Sequence, residues 1–426
     1  MSNHRIIPQF PLGWREKIQQ AADDYGTPLF VYFTDIMEMQ LNTLRTALPS
    51  HAKLFYSVKA NPNPWIMRFF AERDVGFELA SQGELLIAQH AGIPAEQMIL
   101  VGPAKTNDEL NHAVSAGLQA VVVESATELT RLEKLASGNA PISVALRLNL
   151  GRSGGRLSMA GETQFGMEFE TALTLLKNVV TKPSLQIIGL HTYPGTQRFS
   201  PEDVLDSCKA LIEAAVILQK ETSARLSFLD FGGGFGLPVR KGDEMPDWRV
   251  LRNLLTPIIS DYVAQHPWTT TLAFEAGRFL AAPSGVLVMT VQDVKTNGER
   301  QYVLLDGGIA QFGFDDRYFG LRPPMMEVLT DSDSPIVKLT LCGPLCTPAD
   351  RIAADILISQ PRDGDRICIF NTGAYGLTAN PGLFLSQGFA AEALVDKDGI
   401  RLIRRRFSAI EYAELTTLPD FIPYAR

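Results

Sequence analysis

A small set of positions in this chain could do chemistry together: Lys59, Glu78, Arg147, His191, the run Gly232-Gly233-Gly234, Glu275 and Arg278. A lysine enclosed by protein loses solvation, its pKa falls, and the free amine can form a Schiff base with an aldehyde. Consecutive glycines let backbone N–H groups approach an anion closely, and a following helix N-terminus adds its dipole. A carboxylate such as Glu275 facing a pyridine nitrogen keeps that nitrogen protonated and makes the ring a better electron sink. Arg278, three residues on, offers a planar fork for a phosphate. Singly, each has a plainer reading: a strand-end lysine is usually solvated, and a glycine run is usually a turn. Together they point to pyridoxal 5'-phosphate.

Such groups cooperate only if the fold gathers them. From residue 52 to about 280, eight apolar runs alternate with amphipathic segments: AKLFYSVKA (52–60), VGFELA (75–80), MILVGPA (98–104), QAVVVES (119–125), ISVALRLN (142–149), IIGLHTY (187–193), LSFLDFGGG (226–234) and TLAFEAG (271–277). Their near-continuous Val, Ile, Leu and Phe suit parallel strands buried on both faces. Ser81 to Glu84, Thr106 to Glu109 and Ser125 to Glu128 each fit a capping box, and Ser200-Pro201 pairs an N-cap with proline at the first helical position. Eight strands, each followed by a helix, predict an α/β fold of the (β/α)8 TIM-barrel type; an open doubly wound sheet is the alternative. In a barrel the strand C-terminal ends share one mouth. Every candidate above lies at or just beyond such an end.

Beyond residue 283 the rhythm changes to GVLVMTVQDVK, RQYVLLDGG, IVKLTLCG, DRICIFNTG, AAEALVDKDG and RLIRRRF, which predict a mostly antiparallel β domain. The expected organisation is an N-terminal segment over 1–35, a barrel over 36–282 and the β domain over 283–426. VYF at 31–33 reads either as a strand of the C-terminal sheet or as an approach to the barrel.

The motifs together resemble the fold-type III pyridoxal-phosphate decarboxylases, which include the diaminopimelate, ornithine and arginine enzymes. The resemblance is carried by Phe55-Tyr-Ser-Val-Lys59-Ala-Asn61, Glu78-Leu-Ala-Ser81-Gln-Gly-Glu84, His191 with Gly195-Thr-Gln, Gly232-Gly-Gly-Phe-Gly236, Glu275-Ala-Gly-Arg278, Cys342-Gly-Pro-Leu-Cys346 and Gly373-Ala-Tyr375-Gly. It runs from about residue 28 to 400 in the family's order. It implies Lys59 as the Schiff-base lysine, His191 stacked on the cofactor ring and Glu275 at the pyridine nitrogen. It likewise implies Arg147 and Glu78 in support of the ring-side hydroxyl and the lysine, and Gly232, Gly233, Gly234, Gly277, Arg278 and Tyr375 around the phosphate. Cys346 and Asp350 match a segment that crosses from a second subunit, so the resemblance implies a head-to-tail homodimer with shared sites. Cys346 then serves as proton donor, with Thr347, Asp350 and Tyr375 toward the substrate.

Three departures bear on that substrate. Diaminopimelate and ornithine enzymes carry an acidic residue directly after the cysteine, where it meets a distal ammonium; here Thr347-Pro348 follows Cys346. The histidine motif is lengthened to His191-Thr-Tyr-Pro-Gly-Thr-Gln197, and Ala276 replaces a proline. Ser153-Gly-Gly-Arg-Leu-Ser-Met followed by Gln164-Phe-Gly166 resembles a subgroup acting on modified or carrier-linked amino acids in specialised biosynthesis. The expected activity is α-decarboxylation of such an amino acid, with diaminopimelate decarboxylation as the alternative. Glu78, Asp315 or Asp316 could otherwise supply the missing charge. A racemase of this fold would place arginine at the pyridine nitrogen, which Glu275 opposes. A non-catalytic homologue would have lost the lysine or the glycine run.

Composition narrows the remaining classes. The 426 residues are 46% hydrophobic and 20% charged, as in ordinary globular proteins. With 39 Lys and Arg against 47 Asp and Glu, the net charge is −8, and no long basic run occurs. Neither nucleic acid nor an anionic membrane is therefore expected as the main partner. Cys208, Cys342, Cys346 and Cys368 are too few for a disulfide scaffold and lack zinc-site spacing, so no metal is expected. No apolar stretch of membrane-span or signal-peptide length is present, which reads as cytoplasmic.

Overall fold

The eight apolar runs close on one another as a parallel barrel. In the computed structural model, which describes residues 10–135, 141–151, 157–179, 184–238, 243–312, 324–329 and 334–415, the strands are Lys53–Ser57, Gly76–Leu79, Met98–Leu100, Ala120–Val123, Ile142–Arg147, Leu185–His191, Phe228–Asp230 and Thr271–Ala276. Each pairs with its neighbour in sequence, and Thr271–Ala276 returns to Lys53–Ser57 to complete the ring. The doubly wound alternative has a free edge at each end of its sheet; this sheet has none. Asp315, Asp316 and residues 153–156 of the Ser153-to-Met159 motif lie outside the described residues.

Local signals start the helices between strands. Thr106 and Glu109 form a complete capping box. At Ser81 and Ser125 the hydroxyl caps as expected, accepting from the Glu84 and Glu128 amides. There the carboxylates reach one residue further back, to the amides of Ala80 and Glu124. Ser200 accepts from the Asp203 amide with Pro201 leading a long helix, Pro201–Thr222. The last strand departs from the regular pattern. It is followed only by the short helix Arg278–Ala281, because Pro283 and the next strand at Gly285 interrupt it.

Glu38–Pro238 and Glu244–Ala281 form one compact unit; the described residues up to Met37 and from Ala282 onward form another. Among the described residues the second unit holds a nine-stranded sheet. Its central strand Gly285–Asn297 pairs antiparallel with Leu29–Phe33, Arg300–Leu305 and Arg366–Phe370. Two pairings are parallel: Leu29–Phe33 with Ala391–Asp396, and Arg300–Leu305 with Ile336–Cys342. The sequence runs missed Met326–Leu329, which is short, and Arg351–Ser359, which carries several exposed side chains and a positive φ at Asp355. Val31, Phe33, Val286, Val288 and Phe370 form the core of this unit, with Trp14 of the helix Trp14–Tyr25 packed against it. Among the described residues no helix is long and apolar enough to cross a membrane.

Candidate functional site

Phe55, Ile99, Val122, Ala145, Phe228 and Ala273 form one buried cluster inside the barrel. Side chains on a strand alternate between faces, so a residue two positions on points the same way. Two positions past this apolar plug come Ser57, Val101, Glu124, Arg147, Asp230 and Glu275. Strand register places Glu78 opposite Ser57, and His191 opposite both Arg147 and Asp230. A mostly polar layer therefore caps the plug at the strands' C-terminal ends.

Lys59 follows the first barrel strand in a 3-10 turn, Val58–Ala60. Its Nζ donates to both carboxylate oxygens of Glu78, at 2.9 Å each. The Lys59 side chain is 38% exposed and that of Glu78 only 2%, so the amine is anchored to a buried carboxylate while its stem stays open. The Tyr193 ring centroid lies 5.5 Å from Nζ. Beside this pair, burial and the negative charge of Glu78 push Glu84 up to about 7, although the Ala80 amide opposes the shift. Arg147 is paired at 2.7 Å with Glu124, whose other oxygen accepts the Gly166 N–H.

His191, Asp230 and Glu275 form the deepest part of the layer. All three are buried, and one ligand-type atom from each lies within 4.8 Å of the others. His191 Nε2 is 3.1 Å from Glu275 Oε1. Burial and the nearby Arg147 guanidinium hold His191 down at about 3, so the ring is neutral. Burial raises both acids, and Glu275 pushes Asp230 further up.

The glycine run follows directly. Gly232 and Gly234 have φ of 64° and 85°. A Cβ on Gly233 would stand 1.9 Å from the Glu275 carbonyl oxygen, and one on Gly234 2.0 Å from that of Gly195. Only glycine fits. The Gly232 amide is taken by Asp230 Oδ1, whereas the Gly233 and Gly234 amides have no acceptor among the described residues. A Cβ on Gly277 would stand 2.9 Å from the Ala60 Cβ and 3.0 Å from Ser57, and Arg278 beyond it is buried.

The remaining sequence candidates belong to the β unit. Cys346 is exposed. Asp350 is buried, and its two oxygens accept the amides of Ile309 and Leu345, at 2.8 and 2.7 Å. It braces the main chain of the Cys346 loop, where the motif reading expected it toward substrate. Thr347 Oγ1 accepts the Ala349 amide within the same loop. Tyr375 holds a positive φ of 56°.

Glu124 and Asp230 are absent from the motif-based set, as is the raised acid Glu84. The pleat would have found the first two. Each lies two residues beyond an interior apolar side chain, Val122 or Phe228, as Arg147 and Glu275 do beyond Ala145 and Ala273. Glu84 read as a capping residue and as the end of the Glu78-to-Glu84 motif, with no chemical role attached.

Comparison with known proteins gives a consistent set of likenesses. The family described as "Pyridoxal-dependent decarboxylase, pyridoxal binding domain" matches residues 34–282. The L-glutamyl-[BtrI acyl-carrier protein] decarboxylase of Niallia circulans is 32% identical over 399 residues, covering 90% of this chain and 92% of the relative. The diaminopimelate decarboxylase of Mycobacterium tuberculosis is 30% identical over 408 residues, with 91% of each chain covered. The crystal structure of diaminopimelate decarboxylase from Helicobacter pylori complexed with L-lysine has the same fold. Its TM-score is 0.84 at 24% identity, with 93% of this chain and 98% of that one covered.

Proposed function

Because this chain belongs to the pyridoxal-dependent decarboxylases, we propose that it removes the α-carboxylate, as CO2, from an amino acid whose distal end is acylated, conjugated or carrier-bound. The segment Cys346-Thr347-Pro348 carries the substrate reading, because no acid follows the cysteine to meet a distal ammonium. Asp350, the next acid along, has both oxygens engaged by the main-chain amides of Ile309 and Leu345. Glu78 holds Lys59. An unpaired ammonium taken out of water costs on the order of several kcal/mol, so a substrate without that charge is favoured. The likeness to a decarboxylase named for a glutamyl carrier protein supports this reading. Free diaminopimelate is the second reading, supported by relatives of that name at nearly the same identity.

The family's cofactor, pyridoxal phosphate, suits the residues present. The glycine run offers two amides without an acceptor among the described residues, in a turn packed too closely on neighbouring main chain to admit a Cβ, and the buried Glu275 lies on the adjoining strand. Lys59 would hold the aldehyde carbon. Gly232, Gly233, Gly234, Gly277, Arg278 and Tyr375 would hold the phosphate, His191 the ring face and Glu275 the ring nitrogen. When bound, the cofactor supplies the sink for the electron pair left behind by CO2. Glu78 would hold the Lys59 ammonium in place whenever the amine is free of the aldehyde carbon. The Arg147–Glu124 pair fixes the guanidinium at the mouth, and Cys346 of a second copy delivers the proton to the α-carbon. The working assembly is accordingly a homodimer.

Steady-state CO2 release tests the substrate reading. Free diaminopimelate, ornithine and glutamate would be compared with side-chain-conjugated analogues and a glutamyl-loaded carrier protein. A higher kcat/KM for the conjugated or carrier-bound forms is expected. Preference for free diaminopimelate or ornithine would overturn the proposal in favour of the second reading.

A further inference from the structure

We propose that Asp230 acts as a neutral carboxylic acid that shares one proton with Glu275, and so is the positioning residue that fixes how Glu275 meets the cofactor ring. The inference rests on the reading of Glu275 as the ring-nitrogen partner. Asp230 stands opposite His191 on one neighbouring strand and opposite Ala273 on the other, two residues before Glu275. Its Oδ1 accepts the Gly232 N–H at 2.9 Å, which ties it to the head of the glycine run. Its Oδ2 is buried without a partner, and one of its two oxygens lies within 4.8 Å of a Glu275 oxygen.

The surrounding charges decide who holds the proton. Lys59 is bound to Glu78 and Arg147 to Glu124, so among the described residues neither Asp230 nor Glu275 has a Lys or Arg salt bridge. Two carboxylates this close in a buried site do not both ionise. His191 does not take the proton, because burial and Arg147 keep its ring neutral. The proton therefore stays between the two acids. Glu275 is the better anion: the His191 ring nitrogen Nε2 stands 3.1 Å from it, and the Arg147 guanidinium favours its charged form. Asp230, whose proton Glu275 helps retain, is the donor. A hydroxyl on Oδ2 directed at Glu275 satisfies the orphaned atom.

Asparagine reproduces each element of this arrangement: an acceptor for Gly232, a donor for Glu275 and no charge. Asp230→Asn apoprotein is expected to fold and to bind pyridoxal phosphate like the parent, whereas Asp230→Ala loses about tenfold or more in affinity for lack of the donor. A folded carboxyl with a raised pKa loses stability as pH climbs from the ordinary carboxylate range toward its folded pKa. Urea midpoints of the apoproteins should therefore rise in Asp230→Asn relative to the parent, by a margin that grows from pH 5 to pH 9. A margin independent of pH, or cofactor binding by Asp230→Asn as weak as by Asp230→Ala, would overturn the proposal. If Asp230→Asn does not accumulate in folded form, difference infrared spectra of the Glu84→Gln apoprotein at pH 7, which lacks the other raised acid, decide the matter: a protonated carboxylic acid band is expected, and its absence rejects the idea. Glu275→Gln run in parallel separates the two readings. Unchanged turnover and cofactor affinity in that variant reject the role given to Glu275, whatever the Asp230 variants show.

Discussion

The Lys59 ammonium lies 2.9 Å from both carboxylate oxygens of Glu78, a symmetric pair joining a half-open lysine to a buried acid on the next barrel strand. The pairing follows from register. Ser57 stands opposite Glu78, and the short turn after Ser57 carries Lys59 over the same carboxylate. It holds the amine at the mouth in a defined direction.

Lys59 is therefore expected to carry the cofactor. The purified protein should be yellow, and borohydride should fix the cofactor on the peptide containing Lys59. Peptide mapping that finds the label on another lysine would refute the assignment.

Glu275→Gln should retain cofactor and lose most of its decarboxylation. A neutral amide no longer holds the ring nitrogen protonated. Occupancy by absorbance and turnover by CO2 release check the two halves separately; near-normal turnover at full occupancy contradicts the expectation.

If Cys346 serves the barrel of a second copy, two inactive variants should complement each other. Lys59→Ala and Cys346→Ala, mixed and allowed to exchange subunits, are expected to regain part of the parent activity. Exchange demonstrated by sizing or mass labels with no recovered turnover would show that the site is not shared.

Glu84 gives a pH signature in the apoprotein. Burial chiefly, with Glu78 adding to it, lifts this acid from 4.5 to about 7. The folded state thus binds its proton more tightly than the unfolded chain. The stabilising effect is full below the unfolded value and is lost as pH rises to about 7. Glutamine keeps an acceptor for the Ala80 amide without the charge. Glu84→Gln should match the parent in acid and exceed it by about 1–3 kcal/mol at pH 8. Urea midpoints at a series of pH values measure this, and a gap that does not widen with pH would refute it.

Much of this protein is legible in the sequence because its signals are local. Thr106 with Glu109 caps a helix wherever that segment lies, and Ser200 before Pro201 does the same. Apolar runs such as Ala120–Val123 bury themselves on both faces, so eight of them announce a barrel before any pairing is known. The motifs around Lys59, His191, Gly232 and Glu275 name chemistry because lysine, glycine run and acid are each required by type.

Tertiary structure alone decided how those groups meet. Nothing local sets Lys59 on Glu78, places the Asp230 and Glu275 carboxylates in one buried layer, or turns Asp350 onto the amides of Ile309 and Leu345. Those relations depend on which strands close the ring, in what register, and on which donors remain once water is excluded. A carboxylate reads the same in sequence whether it is solvated, paired or protonated. Its neighbours across the sheet, and the energy of leaving a buried charge alone, choose among the three.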